Sequence, residues 1–417
     1  METVHGTWAV AGRGRRAGRA AAALLVGGVL LLGTACNGDG GGGSTDAKGT
    51  AGGGSPSSSA SDPTPKVSTA QLTVTPANGA TDVQPKDGLQ VAVASGKLTS
   101  VEVTDKNGKA VDGKISDDGL SWKPAGQLAV GTTYTVAAQA VDAAGLVAAS
   151  TTSFTTLTPA KTASTNDNIA DNGTYGVGMI VSVSFGKPIK NKDAVLAGIS
   201  VTGSDGTVAK GHWFTNQRLD FRPEQFWKPG TKVTVKYRLK NVEVAPGVYG
   251  DIDKDEPFTI GRYQVSTVDA AAHTMTVDHG GGKTESIPIT AGNDQNASWN
   301  GTMVISSKEK VTRMNSATVS NVKGDEYDVP DVPHAMRLTS TGTYVHGNYW
   351  STAFGKSNAS HGCVGMADVK GGGDSTAAGK FFNSSIIGDV VRIKNSKGQT
   401  VAGDNGWSGW TVPWSKW

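Results

Sequence analysis

The sequence predicts a mainly β protein of about three domains, and three observations support this prediction. The chain of 417 residues is long enough for about three domains of roughly 150 residues each. Its 57 glycines and its charged fraction of 18% indicate many turns and few long amphipathic helices, which argues against an all-helical fold. Short runs of alternating apolar residues recur from residue 72 onwards, and a period of two is typical of strands.

The charge distribution excludes nucleic acid as a partner. The net charge is +3, and it is concentrated in the first 35 residues, where four arginines oppose only Glu2. The remaining residues carry as many acidic as basic side chains. They therefore lack the basic surface that a phosphate backbone requires.

The first 36 residues have the layout of an export signal. A basic stretch at 13–19 precedes an apolar run at 20–32, and three small residues at 33–35 lead directly to Cys36. The apolar run is too short for a comfortable membrane span. We therefore expect the protein to be exported and to act outside the cytoplasm.

Residues 37–70 form a low-complexity tether. Gly, Ser, Ala and Thr dominate it, and Pro56, Pro63 and Pro65 lie near its end. Gly and Ser make such a linker flexible, whereas prolines stiffen it. The tether would let the folded part stand away from a membrane.

Two β-sandwiches are predicted next, at residues 71–157 and 158–260. Turn signals such as Asn107-Gly108 and Asp118-Gly119 separate the alternating runs, and the length of each region suits a small two-sheet fold. The residues that predict one buried sheet face are Tyr134, Val136, Ala138 and Ala140 in the first sandwich and Val181, Val183, Phe185, Val233, Val235, Tyr237 and Leu239 in the second.

A third β-rich region is predicted at residues 261–395, followed by a Trp-rich extension at 396–417. The region opens with a hairpin, whose strands at 275–277 and 286–289 flank a turn, and ends with a strand at 390–393. Between them, residues 344–366 are the only place where His, Cys and a Gly-rich turn lie close together in the sequence. We therefore expect the chemistry of the protein there.

Cys363 is the candidate nucleophile on chemical grounds. Its thiolate needs a nearby base, and His361 and His346 precede it by two and seventeen residues. If the segment around His346 runs beside the segment around Cys363, that ring comes within reach of the sulfur. Gly362 and Gly365 leave the backbone amides near the sulfur open, as an oxyanion hole requires. The pattern indicates acyl transfer.

Two interpretations without catalysis stay open from these residues alone. Cys363 could be a small buried hydrophobe, with His346 and His361 as structural histidines. The three side chains could also bind zinc, but no fourth ligand lies at a standard spacing, so no metal is predicted. Cys36 lies far away in unlike surroundings, so no disulfide is predicted either.

The segment resembles the catalytic domain of L,D-transpeptidases, in which a His is followed at some distance by [Ser/Thr]-His-Gly-Cys. Actinobacterial members of that family carry immunoglobulin-like domains before the catalytic domain, as the two predicted sandwiches would be. Residues 32–36, Leu-Gly-Thr-Ala-Cys, resemble a bacterial lipobox. The matching residues are Val345-His346-Gly347, Ser360-His361-Gly362-Cys363-Val364, Asn300-Gly301-Thr302, Trp350, and the C-terminal Trp407, Trp410, Trp414 and Trp417.

The resemblance implies a catalytic role for the residues of the motif. Cys363 would be the nucleophile and His346 the general base, whose ring is held by the backbone carbonyl of Gly347. The amides of Gly362 and Cys363, together with the hydroxyl of Tyr327, would stabilise the oxyanion.

The resemblance also implies where the substrate binds. The donor groove would lie beneath a lid formed by about residues 311–329. The residues that would line the groove or shape its floor are Tyr327, Met314, Trp350, Ser360 and His361.

The implied function is that of a lipoprotein on the outer face of the cell membrane, anchored through Cys36 and facing the cell wall. A peptidoglycan tetrapeptide stem would acylate Cys363 and lose its terminal D-Ala, and the side-chain amine of a second stem would take the acyl group in a 3→3 cross-link. No cofactor would be needed, and carbapenem-type inhibitors would acylate the same cysteine. An L,D-carboxypeptidase, or a catalytically decayed wall-binding lipoprotein, stays open as an alternative.

The sequence departs from the family pattern just after Cys363. Gly365 stands where the family usually has Asn or Arg, which concerns substrate anchoring rather than the nucleophile. Three consecutive glycines at 371–373 predict a loose connection to a following helix near 377–382. We expect the C-terminal tryptophans to pack between the catalytic domain and the second sandwich rather than to bind sugar.

Overall fold

The structure is a computed structural model that describes residues 66–319 and 326–417. The export segment, Cys36 and most of the predicted tether lie outside the described residues, as do six residues of the predicted lid. Within the described ranges, no helix has the length and apolar character needed to cross a membrane.

The first region folds as two four-stranded sheets around one apolar core. Its strands are β1 (Gln71–Thr75), β2 (Ala80–Val83), β3 (Gln90–Ala94), β4 (Lys97–Asp105), β5 (Gly113–Ile115), β6 (Ser121–Pro124), β7 (Thr133–Val141) and β8 (Val147–Thr156). The sheet orders are β1-β3-β6-β5 and β2-β8-β7-β4. Every second residue of β7 is buried from Tyr134 to Ala140, which confirms the predicted buried face.

The second region is also built from strands, with one short helix. Its elements are β9 (Lys161–Ala163), β10 (Thr165–Asp167), β11 (Thr174–Tyr175), β12 (Val181–Phe185), α1 (Lys192–Ala197), β13 (Ile199–Gly203), β14 (Val208–Trp213), β15 (Arg218–Arg222), β16 (Lys232–Arg238), β17 (Glu243–Ala245), β18 (Val248–Gly250) and β19 (Asp253–Ile260). Eight strands follow the order β10-β12-β15-β14-β13-β16-β19-β11, and β17, β18 and β9 form a small second sheet. The apolar residues predicted for the buried face of this region all lie in its core, so that prediction is confirmed.

The third region contains a nine-stranded sheet and a second helix. Its elements are β20 (Val265–Asp269), β21 (Thr274–Asp278), β22 (Thr284–Thr290), β23 (Gly301–Val304), β24 (Ser307–Asn315), β25 (Asp328–Arg337), β26 (Tyr344–Asn348), β27 (Val364–Ala367), α2 (Ala377–Ser384) and β28 (Val390–Lys394). The strand order is β23-β28-β20-β21-β22-β27-β26-β25-β24.

Two local predictions for this region are confirmed. The strands β21 and β22 form the predicted antiparallel hairpin, in which Met275 faces Ile287. The final strand β28 pairs in parallel with β20, so that the last strand closes back on the first. Helix α2 covers one side of the sheet with Phe381 and Phe382, which join its apolar core.

The C-terminal extension packs against the second region and the edge of the nine-stranded sheet. Trp410 Nε1 donates to the carbonyl O of Gly178 at 2.7 Å, and Trp417 Nε1 donates to the carbonyl O of Lys210 at 2.6 Å. On the other side, the Thr411 hydroxyl bonds to the backbone of Thr302 in β23. Because the extension contacts both regions, it joins them.

Arg222 is the centre of this packing. Its guanidinium lies 4.4 Å from the ring centroid of Trp417, 4.7 Å from that of Trp410 and 5.2 Å from that of Trp414. It also donates to the carbonyl O of Val412 at 2.7 Å. Burial lowers the pKa of Arg222 to about 10, so the guanidinium stays charged at neutral pH and interacts with the ring faces as a cation.

Replacing Arg222 with Ala is expected to lower the midpoint of thermal unfolding by roughly 5 °C, because the variant loses three cation–π contacts and the packing of a buried side chain. Arg238→Ala is the matched control, since Arg238 is half-exposed and pairs with Asp255 at the surface; its loss should cost about 0.5 kcal/mol or less. Calorimetry of both variants checks the prediction, and equal midpoints would contradict it.

Candidate active site

A cavity of about 370 Å³ opens on the catalytic region beside the end of the central strands. Among the residues that the structure describes, no Asp, Glu, Lys or Arg lines it, so a bound ligand meets neutral polar groups and apolar walls there. The lining residues are Met314, Tyr327, Val329, Val332, His346, Asn348, Trp350, Ser351, Ala359, Ser360, His361 and Cys363.

The parallel pair of β26 and β27 brings the two principal residues into this cavity. His346 lies on β26 opposite Gly365 of β27, and Cys363 is the residue directly before β27. Neighbouring parallel strands run about 4.8 Å apart, and the 16 residues between His346 and Cys363 bring the chain back to the same end of the sheet. The predicted approach of the two segments is therefore present.

Ser360 holds the turn that carries the nucleophile. Its hydroxyl donates to the carbonyl O of Cys363 at 2.5 Å and accepts from the amide of Gly362 at 3.2 Å. Gly362 has a φ of +111°, which strongly favours glycine. The amide of Gly362, which was predicted to donate to the oxyanion, thus donates to Ser360 in this state. It can donate to an oxyanion only after it leaves Ser360.

The ring of His346 is oriented by the next peptide, as the resemblance implies. Nδ1 lies 2.7 Å from the carbonyl O of Gly347. A carbonyl only accepts, so Nδ1 carries the proton and Nε2 is left as the acceptor. Burial lowers the pKa of His346, while the Gly347 bond and the charge of Asp368 raise it in part. The neutral imidazole is therefore the resting form.

The thiol of Cys363 is also neutral at rest. The side chain is 8% exposed, and Sγ lies 3.7 Å from the carbonyl O of Gly342, to which it donates. Burial raises the pKa of the thiol to about 11. Among the described residues, no hydrogen bond joins Sγ to the His346 ring, so a thiolate–imidazolium pair is not preformed.

Alkylation of Cys363 by iodoacetamide is expected to be slow at pH 7 and to accelerate about tenfold per pH unit towards pH 11. A thiol with a pKa near 11 has a thiolate fraction at pH 7 that is roughly two to three orders of magnitude below that of an ordinary cysteine. Mass spectrometry of the peptide that contains Cys363, with glutathione as the reference thiol, measures the rate. Labelling at pH 7 as fast as that of glutathione would show a preformed thiolate.

The β24–β25 hairpin supplies the outer wall of the cavity. Met314 faces Val329 across the hairpin, and the ring of Tyr327 lies 5.0 Å from that of His361. Burial, followed by the charge of the neighbouring Cys363, raises the pKa of Tyr327 to about 12. Its hydroxyl is therefore protonated and can donate. Met314, Tyr327 and His361 line the cavity, as their predicted substrate-binding role requires.

Trp350 forms the exposed rim of the site. Its side chain is 48% exposed and stacks on the His346 ring at 5.9 Å with an interplanar angle of 17°. Tyr349 packs against it edge-on at 4.8 Å. An exposed aromatic face beside the base is suited to contact a bound peptide.

Sequence reasoning missed Asn348, although it lies two residues after His346 and hence on the same face of β26. Its Oδ1 accepts the amide of Trp350 at 3.1 Å, which leaves Nδ2 as the donor. A Cβ at Gly365 would lie 3.4 Å from that Nδ2. The carboxamide of Asn348 thus borders the space that the side chain of the usual Asn or Arg would enter.

The prediction of a loose connection at 371–373 is wrong. The amide of Gly373 donates to Asp368 Oδ1 at 3.0 Å, and so does the hydroxyl of Thr376. The same hydroxyl accepts from the amide of Gly379 at the start of α2. The glycines allow the chain to wrap closely around the carboxylate of Asp368, which is nearby in the sequence but whose burial was not visible in the local pattern.

The loop that touches the sulfur is held by the C-terminal extension, which sequence reasoning also missed. Asn405 accepts from the Thr341 amide at 3.2 Å and donates to the Thr341 hydroxyl at 2.9 Å. Arg218 of the second region donates to the carbonyls of Asp404 and Gly406, which flank it. The extension thereby connects the second region to the residue before Gly342.

The described residues contain no group of three or more His, Cys, Asp or Glu side chains that could hold a metal ion. The chemistry available in the cavity is that of a thiol beside an oriented, neutral imidazole. A thiol and an oriented imidazole on one cavity are the groups that a cysteine acyltransferase uses.

Comparisons with known proteins agree with this class. The sequence model of the bacterial Ig domain matches residues 80–243, and that of the L,D-transpeptidase catalytic domain matches residues 263–371. L,D-transpeptidase 2 of Mycobacterium tuberculosis is 30% identical over 357 residues, which cover 83% of this chain and 84% of the relative. L,D-transpeptidase 5 of the same species is 28% identical over 355 residues, covering 83% and 76%.

The chain therefore belongs to the L,D-transpeptidase family, and it is an acyltransferase of that kind. Among solved structures, an LD transpeptidase in complex with imipenem matches 55% of this chain and 97% of its own, with 25% identity and a TM-score of 0.47.

Proposed function

We propose that Cys363 and His346 catalyse the formation of 3→3 cross-links between peptidoglycan stem peptides through a thioester on Cys363. The observation that carries this proposal is the shared cavity wall: β26 and β27 pair in parallel with His346 opposite Gly365, and the Gly347 carbonyl leaves Nε2 of the imidazole as the free acceptor. A neutral thiol and a free imidazole nitrogen on one cavity are the parts that base-assisted acyl transfer needs.

Acylation begins with the bound donor stem. His346 Nε2 takes the thiol proton as Sγ attacks the carbonyl carbon at the L-centre of the third residue, diaminopimelate. The terminal D-Ala leaves with that proton on its amine, and the thioester remains on Cys363. Because the thiol has a pKa of about 11, proton transfer accompanies the attack rather than preceding it.

The oxyanion of the tetrahedral intermediate needs donors that are already in place. We assign this role to the amide of Cys363 and the hydroxyl of Tyr327, with the amide of Gly362 joining after it leaves Ser360. The protonated state of Tyr327 supports its part. Ser360 fixes the turn, so its contribution is to position the nucleophile.

Deacylation requires a second stem, whose side-chain amine attacks the thioester while His346 accepts its proton. The described residues of the cavity wall are uncharged, which supports binding of the donor stem through neutral groups. We assign Asn348 Nδ2 to an oxygen atom of the donor, and Trp350 and Met314 to its apolar contacts. Acylation by a carbapenem would use the same cysteine and the same base, as the imipenem complex of a relative suggests.

The cellular position follows from the N-terminal pattern. The lipobox-like residues 32–36 support a lipid on Cys36 and hence an anchor on the outer face of the cell membrane. The low-complexity segment after it would give the catalytic region reach into the wall.

Product analysis tests this function against its alternative. The purified full-length chain is incubated with a disaccharide tetrapeptide, and the products are identified by mass spectrometry. Dimers that have lost one D-Ala support the cross-linking reaction. Tripeptide monomers alone would make the chain an L,D-carboxypeptidase, because water would then be the acceptor, and unchanged substrate would favour a wall-binding protein without catalysis.

A further inference from the structure

A buried carboxylate lies directly beside the peptide that orients the base, and it has no part in the reaction as described. Asp368 follows β27, and its side chain is fully buried. A Cβ at Gly347 would collide with its Oδ2. The carboxylate therefore occupies the space that a side chain at position 347 would need, next to the carbonyl that accepts from His346 Nδ1.

Four groups hold this carboxylate in place. His334 Nδ1 lies 2.7 Å from Oδ2, and Oδ1 accepts from the amides of Val369 and Gly373 at 2.8 Å and 3.0 Å and from the Thr376 hydroxyl at 3.0 Å. Asp368 is thus fixed from β25, from the glycine loop and from the start of α2. Such closely bonded buried carboxylates have a defined position and a strong local field.

Among the described residues, the other carboxylates in this part of the fold are at least partly exposed. Asp331 is partly exposed and is bonded to Tyr349 and near Lys370, and Asp374 is exposed. The titratable groups that share the cavity with His346 are Cys363 and His361 of the loop before β27 and Tyr327 of the outer hairpin. Asp368 acts on the His346 ring through its charge, Tyr344 of β26 neighbours Cys363, and His334 of β25 contacts Asp368.

We infer that Asp368 is a positioning residue whose buried negative charge supports His346 while the ring carries the thiol proton. When Nε2 takes the proton from Sγ, the imidazole becomes positive, and a fixed carboxylate on the Gly347 side stabilises that charge. The Nδ1 proton stays on the ring, donated to the Gly347 carbonyl O, throughout. The inference rests on the proposed function, since it concerns the proton transfer of that reaction.

The glycine loop at 371–373 has a purpose in this arrangement. Gly372 has a φ of +82°, and a Cβ there would lie 3.0 Å from the His334 ring. The loop can close on His334 and on Asp368 only because it lacks side chains. The glycine loop thus helps to fix the position of the Asp368 carboxylate.

Asp368→Asn in the full-length chain tests the inference by the rate of acylation of Cys363 by imipenem between pH 5 and 9. Loss of the charge is expected to slow acylation at pH 7.5 by about 10- to 100-fold. Asp368 raises the pKa of His346, and the base works in its neutral form. Removing the charge therefore lowers that pKa, and the acid limb of the rate profile moves to lower pH.

Asp374→Asn is the matched control, since it removes an exposed charge beside His334, the histidine that also contacts Asp368; the acylation rate and acid limb of this variant should stay those of the parent chain. Gly347→Ala is a second variant that displaces the carboxylate without changing its charge, and it should shift the acid limb in the same direction. If Asp368→Asn does not fold, Gly347→Ala still tests the inference.

A slower rate with an unmoved acid limb would mean that Asp368 only supports the fold, and a rate equal to that of Asp374→Asn would mean that it does nothing for the base; either result overturns the inference. If the parent chain itself is not acylated at Cys363, the proposed function fails as well, so the two failures are distinguishable.

Discussion

Replacing Cys363 with Ala is expected to abolish cross-linking, with a loss of at least about 10⁴-fold. The sulfur is the only atom in the cavity that can form the proposed thioester, and a methyl group offers no nucleophile. The substitution is small and the side chain sits in a buried turn fixed by Ser360, so the fold should survive. Turnover of a disaccharide tetrapeptide, followed by mass spectrometry, measures the loss.

Cys36→Ser is the matched control for this variant, because it removes the other cysteine of the chain and leaves the cavity untouched. In solution it should turn over substrate at the rate of the parent chain. Residual cross-linking by Cys363→Ala, with thermal unfolding unchanged, would mean that another group attacks the donor stem.

Replacing His346 with Gln is expected to lower the rate of cross-linking by about 10³-fold. The thiol at rest is neutral, with a pKa of about 11, and without the His346 imidazole the proposed acceptor of its proton is lost. The remaining reaction then depends on free thiolate, so its rate should rise with pH up to about pH 11, whereas the parent chain should be nearly independent of pH above neutrality. Rates measured from pH 6 to 10 test both statements.

His279→Gln provides the comparison, since His279 lies at the turn between β21 and β22 and is part-exposed beside Glu285. It should leave the rate and the pH profile unchanged. A His346→Gln variant that keeps the parent profile would remove His346 from the role of base and would point to His361 as its replacement.

Local patterns predicted the strands because burial alternates within each of them. Every second residue from Tyr134 to Ala140 is buried, on one side of β7. The hairpin of β21 and β22 forms from neighbouring residues, which are joined by their own turn and strand pairing. The motif around Cys363 was visible for the same reason, since its Ser, Gly and Cys bond to one another within four residues.

The parts that were missed depend on contacts between distant segments. The Asp368 carboxylate fits only because Gly347, on another strand, has no side chain. The glycine loop bonds to this carboxylate from nearby in the sequence, and it was misjudged because the burial of Asp368 was not expected. Gly342, whose carbonyl accepts from Sγ, follows a residue that is held by Asn405 near the C-terminus. Of the missed residues, only Asn348 could have been found from a local pattern, because it lies two residues after His346 and therefore on the same face of the strand.

The raised pKa of the thiol has the same long-range origin. Burial of Cys363 results from the packing of β25, β26 and β27, and no property of the motif itself indicates whether its sulfur is exposed. A neutral resting pair is therefore a finding of the structure.

The most direct test of the account is to trap the acyl-enzyme. The full-length chain is mixed with a disaccharide tetrapeptide, quenched in acid within a short reaction time, digested and analysed by mass spectrometry. We predict that the peptide containing Cys363 gains the mass of the donor stem without its terminal D-Ala, through a bond that hydroxylamine cleaves. Cross-linked product without any adduct on Cys363, at every quench time and also in the Cys363→Ala variant, would contradict a thioester on this cysteine.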